Sequence, residues 1–223
     1  MNTSSESALR PAAPQDREAP RAGRGRGPRG ARREEILAAA AALFARRGFH
    51  GVTIDDIGSA AGMSGPGIYR HFPGKDAVLA EMLVGISERL LAEGSRRAEA
   101  AADAGAALDA LLDWHVSFAL SQPDLITVQE RELANVPEPA RRKIRRLQRL
   151  YVEEWVTVTS ELSPLASPAR LRTAMHAIFG LLNSTPHSAI ELPREDVAAL
   201  LHTMARAALA AASAPVPGAA GGV

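Results

Sequence analysis

The sequence predicts an all-α fold, and three observations carry that prediction. Alanine is abundant while aromatic residues make up only 4% of the chain, a composition that suits helices better than sheets. Apolar residues recur at intervals of three and four along stretch after stretch. Proline and glycine mark the breaks between those stretches. With 223 residues and 46% hydrophobic content, there is enough apolar material for one or two buried cores.

Residues 1–30 are rich in Ser, Ala, Pro, Gly and Arg and have no apolar period, so they are expected to form a disordered arm. The arm ends in RAGRGRGPRG, a cationic run hidden by a net charge of only +1. Two readings stand for it: a solvated tail, or an arm laid along phosphates or into a minor groove. A first helix is predicted from Arg33 to Arg47, with Ile36, Leu37, Ala40, Leu43 and Phe44 on one stripe and Gly48 as its stop. Thr53 then caps a short helix that carries Ile54, Ile57, Ala60 and Ala61, and Asp55 and Asp56 in its first turn favour the helix dipole. Gly62 supplies a left-handed stop, and Ser64 is placed to cap a second helix over Gly65 to His71. Ile68 and Phe72 pack inward, leaving Tyr69, Arg70 and His71 to face elsewhere. Two short helices at a glycine corner, the second with polar tips, are the helix-turn-helix plan for entering a DNA major groove.

Three features along this segment, ILAAAAALFARRGFHGVT, the T-x-x-D-I-x-x-A-A-G-x-S core and the I-Y-R-H-F-x-x-K ending, carry a family resemblance. From about Glu35 to Leu83 the chain resembles the N-terminal domain of TetR-type bacterial regulators. The resemblance implies a three-helix DNA-binding domain, residues 31–76, followed by a helical ligand-binding and dimerisation domain, residues 77–212, and a loose tail over 213–223. It also implies DNA contacts at Thr53, Ser64, Gly65, Pro66, Tyr69, Arg70, His71 and Lys75. By chemistry, Thr53, Tyr69, His71 and Lys75 are donors suited to phosphates, whereas Arg70 has the fork that matches guanine O6 and N7. The SGPG entry to the reading helix departs from the family pattern, in which a longer polar side chain often stands, and it shifts weight onto Arg70, Pro66 and DNA shape.

Beyond Pro73 and Gly74 a long helix starts at Lys75 and carries Val78, Leu79, Met82, Leu83, Ile86 and Leu90. Further helices are predicted over Asp103 to Leu120, Asp124 to Leu133, Pro137 or Pro139 to Leu162, Ala169 to Asn183 and Arg194 to Ala211. The third of these carries Ile144, Leu147, Tyr151, Trp155 and Val158 on its packing stripe, with Arg141, Arg142, Lys143, Arg145, Arg146 and Arg149 crowding the other sides. In the last pair, Leu171, Ala174, Met175, Ile178, Leu181 and Leu182 form one broad apolar face. Val197, Leu200, Leu201, Met204 and Ala208 form another. The resemblance implies that these two helices, about residues 169–211, join a second copy as a four-helix homodimer interface, which also supplies the second reading helix of a two-fold DNA site.

The resemblance further implies a small-molecule effector between the helices of the second domain. Polar and aromatic groups on otherwise apolar stripes are the candidates for it: Trp114, His115, Phe118, Gln122, Gln129, Trp155, His176, Phe179, Asn183 and His187. The stretch AMHAIFGLLNSTPHSA resembles the corresponding helix of TetR-type regulators of fatty-acid and other acyl-CoA breakdown, and the cationic run at Arg141 to Arg149 is either a phosphate contact for such a ligand or a solvated face. An enzyme is not expected, since phosphate-binding loops, H-E-x-x-H, G-x-S-x-G and EF-hand series are all missing from the sequence. The expected cofactor is none, and no metal site is expected from six scattered histidines and zero cysteines. No run of about 18 apolar residues predicts a membrane span, and the polar start predicts a cytoplasmic protein. The rival to a ligand-responsive regulator is an architectural DNA-binding protein, with sequence-independent binding and no effector.

Overall fold

The computed structural model describes residues 28–188 and 191–214. These residues form helices and no strand: α1 (Pro28–Arg47), α2 (Ile54–Ala60), α3 (Gly65–Ile68), α4 (Lys75–Glu99), α5 (Ala104–Ser121), α6 (Pro123–Glu132), α7 (Glu138–Leu162), α8 (Pro168–Leu182), α9 (Thr185–Ser188) and α10 (Arg194–Ser213), with a 3-10 turn at Leu133–Asn135 between α6 and α7. The prediction of an all-helical chain holds. The expected arm and tail fall mostly on residues 1–27 and 215–223, outside the described residues. Helix α1, however, begins at Pro28 and not Arg33, because proline is well placed in a first helical turn.

The predicted punctuation accounts for most boundaries. Thr53 caps α2 in a full capping box: its hydroxyl accepts from the Asp56 amide, and its own amide donates to the Asp56 carboxylate. Gly62 closes the corner with a left-handed φ of 65°. The corner is tight because α2 and α3 meet where side chains are missing. A Cβ on Gly58 would lie 3.0 Å from the Gly65 nitrogen, and one on Gly65 would collide with the Asp55 carboxylate. Ser64 takes an extended N-cap backbone but makes no capping bond with its side chain, and α3 stops at Ile68, so Tyr69, Arg70 and His71 stand in the turn beyond it. Four residues, two of them glycine, hold a single helical turn and no more. Helix α9 escaped the sequence reading for a similar reason, its four residues being too few to show a period.

The first three helices close over Ile36, Phe44, Ile57, Ile68 and Phe72, all at most 1% exposed. Arg33 ties this bundle to α4: its guanidinium donates to Glu81 and to the His71 carbonyl, and lies 4.2 Å from the Phe72 ring centre. Helix α4 then continues without a break into the second bundle, where it packs on α5 and α7. A second connection is α6, which lies against α1. There the buried Glu132 accepts from Asn135 at 2.7 Å, Arg131 donates to the Ala45 carbonyl at 3.2 Å, and His50 meets Asn135 at 3.1 Å.

The apolar faces of α8 and α10 divide differently from the prediction. Leu171, Met175, Ile178 and Leu182 of α8, with Val197, Leu201, Ala205 and Leu209 of α10, are buried within the subunit. Leu200 and Met204, expected on the same stripe, are 49% and 43% exposed. A helix face more than 100° wide has room for both an inner and an outer seam.

Gly62 offers a direct check of the corner. Nothing lies within 4 Å of a Cβ built on it, so substitution acts through the backbone alone. Gly62→Ala is expected to cost about 1–2 kcal/mol and Gly62→Asn distinctly less, because asparagine tolerates the left-handed region. Urea unfolding of the two variants measures the difference.

Candidate DNA-reading surface and effector cavity

The corner of α2 and α3 brings the predicted DNA contacts to one end of the first bundle, with unequal freedom. Tyr69 is 58% exposed, and Arg70 and Pro66 are exposed with it. His71 is half-buried, with its carbonyl held by Arg33. Gly65 is buried and serves the close approach of the two helices. Thr53 and Lys75 both have hydrogen-bond partners within the bundle. Both donors of Thr53 go to Asp56, with the hydroxyl at 2.6 Å, and these bonds hold the Asp56 carboxyl below its usual range. Lys75 Nζ donates at 3.0 Å to the carbonyls of both Phe49 and Val52 and sits 4.5 Å from the Phe49 ring centre. It staples the loop between α1 and α2, leaving one N–H for a phosphate. Arg70 forms no ion pair among the described residues and keeps all its donors available.

In the second bundle the structure gathers His115, Phe118, Gln129, Trp155, Phe179 and Asn183 from the predicted list. His115 Nε2 and Asn183 Oδ1 are 3.0 Å apart, and His115 Nδ1 lies 3.4 Å from the Tyr151 hydroxyl. The His115 ring is stacked on Tyr151 at 5.9 Å and edge-on to Trp155 at 6.2 Å, with Phe179 at 5.0 Å. Beside it, Leu90, His115, Phe118, Ile126, Gln129, Glu130 and Asn183 line a cavity of about 20 Å³, room for a single water. Tyr151 is the member the sequence reading assigned to packing alone, because its spacing on α7 fits the apolar stripe.

Other predicted effector residues lie elsewhere. Trp114 donates to the Leu90 carbonyl at 3.3 Å under the Arg97 guanidinium. His176 and His187 are exposed, and Gln122 sits at the junction of α5 and α6. In the cationic run, Arg141 and Arg142 pair with Glu138, and Lys143 pairs with Glu88 at 2.5 Å, while Arg145, Arg146 and Arg149 are exposed. Burial pushes the His115 imidazole down to about 4, against a smaller upward pull from Asn183. The ring is therefore neutral at physiological pH. No group of His, Cys, Asp and Glu suited to a metal occurs among the described residues, and no described helix is long and apolar enough to cross a membrane.

The chain thus combines a helix-turn-helix bundle, joined by a continuous helix, with a second helical bundle that holds a small cavity beside clustered aromatic rings. Residues 36–82 match the sequence profile "Bacterial regulatory proteins, tetR family". It is 37% identical over 81 residues to the HTH-type transcriptional repressor KstR2 of Rhodococcus jostii, a match covering 36% of this chain and 40% of that one. The curated relative is thus matched over about two fifths of its length. Among solved structures, a TetR-family transcriptional regulator from Bordetella parapertussis is similar at a TM-score of 0.70 with 22% identity, over 78% of this chain and 93% of that one. FadR of Bacillus subtilis in complex with stearoyl-CoA is similar at 0.61 with 20% identity, over 81% and 97%. These likenesses extend the shared fold to the second bundle.

Two predictions test the sites separately. Arg70→Ala is expected to cost roughly 1–3 kcal/mol on the cognate DNA site with no change in melting temperature, whereas Lys75→Ala is expected to lower the melting temperature as well as affinity; binding isotherms and thermal melts on both variants distinguish them. For His115, a folded-state pKa below the unfolded value means that its contribution is complete above about pH 6.5 and is lost as pH falls toward 4, by about 3 kcal/mol in all. Replacing it with the non-titrating His115→Gln is expected to flatten that part of the urea stability profile between about pH 7 and pH 4.

Proposed function

We propose that the chain is a ligand-responsive transcriptional repressor that binds a palindromic operator as a homodimer and leaves it when a small molecule enters the second bundle. The observation that carries this reading is the pairing of an exposed Tyr69–Arg70 tip, in a domain matching the regulator family, with the aromatic cavity on the other side of α6. Ile126, Gln129 and Glu130 of α6 line the cavity, and the next two residues, Arg131 and Glu132, contact the end of α1. A ligand that enlarges the cavity moves α6, and α6 moves the DNA-reading bundle.

Dimerisation is supported by Leu200 and Met204 of α10, which are exposed, and by the exposed small residues Ala177 and Gly180 of α8, which permit close helix approach. Two reading helices then address half-sites about 34 Å apart. The effector class favoured is an acyl-CoA thioester, because the rings of Phe118, Tyr151, Trp155 and Phe179 cluster about His115 beside the cavity and a solved structure of the same fold is complexed with stearoyl-CoA. An architectural DNA-binding protein is the alternative, and the effector cavity disfavours it.

Selection of bound fragments from genomic DNA, followed by gel shift with the enriched site, tests the reading. The expected results are a two-fold symmetric site, preference over random DNA, a dimer by light scattering, and release on addition of acyl-CoA thioesters. Equal affinity for random DNA, or a monomer both alone and on DNA, overturns it.

A further inference from the structure

The core of the second bundle holds two hydrogen-bond donors that the closed protein uses badly. Trp155 is 0% exposed, and its indole Nε1 has no hydrogen-bond partner. Its neighbour Tyr151 is a phenol that burial pushes above its usual range. The Tyr151 hydroxyl, also buried, reaches His115 Nδ1 only at 3.4 Å, near the limit of a useful bond. Trp155 and Tyr151 are four apart on α7, so they project from one face of it, and their rings are 6.0 Å apart. A buried N–H left unmade costs free energy that a bound acceptor recovers.

What covers these donors is a side chain that can move. Phe179 lies 5.6 Å from the Tyr151 ring and 5.2 Å from the Trp155 ring, and unlike them it is only half-buried. The same ring lies 5.0 Å from that of His115, which lines the cavity. No arginine or lysine is among the residues packed round them, and the neutral His115 adds no charge, so a carboxylate there would be desolvated without compensation. A neutral oxygen with two lone pairs meets the site's chemistry.

We propose that Trp155 Nε1–H and the Tyr151 hydroxyl form a two-donor clamp for one uncharged carbonyl oxygen of the effector, with Phe179 as the ring that yields to admit it. The proposal rests on the effector reading above and assigns the residues that recognise the acyl carbonyl. It predicts that affinity depends on that oxygen and not merely on the apolar chain.

The test uses matched probes that differ only in the oxygen: octanoyl-CoA against its thioether S-octyl-CoA, and palmitoyl-CoA against S-hexadecyl-CoA, each titrated into the full chain by calorimetry. The thioester is expected to bind at least about tenfold more tightly, the effect of one good buried hydrogen bond. Trp155→Phe, which keeps a ring but removes the N–H, is expected to reduce that ratio to within a few-fold. A spectroscopic arm does not depend on that variant folding: in Trp114→Phe, where Trp155 is the remaining tryptophan, its emission shifts to the red with the thioester and not with the thioether. Equal binding of thioester and thioether overturns the clamp while the acyl-CoA reading stands. An undiminished ratio in Trp155→Phe overturns the assignment of Trp155, and no binding of any probe overturns the clamp together with the acyl-CoA reading.

Discussion

The arrangement depends on a single constraint, the contact of α6 with the end of α1. Glu132 is buried there with Asn135 as its partner, and the glycine at position 48 lets α1 end beside the Glu132 carboxylate. A buried carboxylate tolerates little displacement from its hydrogen-bond donor. This makes the junction positional in character: it fixes where the DNA-reading bundle sits relative to the cavity one turn further up the same helix. Helix α4 joins the two bundles along its length.

The two ends joined in this way contrast in chemistry. The reading surface leaves Tyr69 and Arg70 exposed, while Thr53, Lys75 and Arg33 donate to carbonyls and carboxylates around it. The second bundle buries the polar atoms of His115, Tyr151 and Trp155 among aromatic rings, imperfectly bonded. Rigid positioning suits the first, since base contacts need a fixed register.

Much of the fold was legible because local chemistry decided it. Thr53 with Asp56, Gly62, and the prolines before α6, α7 and α8 each act within a few residues. The site was legible as a set of residue types and less so as a set of roles. Lys75 reads as a phosphate donor until its partners, the carbonyls of Phe49 and Val52, are brought to it across 23 residues or more of chain. Tyr151 reads as packing because its period is right, and only the burial of His115 beside it shows a second use. Leu200 and Leu201 are neighbours in sequence but face opposite seams of α10, a division that depends on where α5 and α8 pack.

The glycine corner has a consequence for how such a protein diverges. With Gly58, Gly62 and Gly65 each fixed by close approach or backbone hand, the start of the reading helix has little room for variation. Tyr69 and Arg70 stand past the helix end, exposed and outside the core. Substitutions there disturb no core packing, so these two positions can vary while folding stability stays nearly constant.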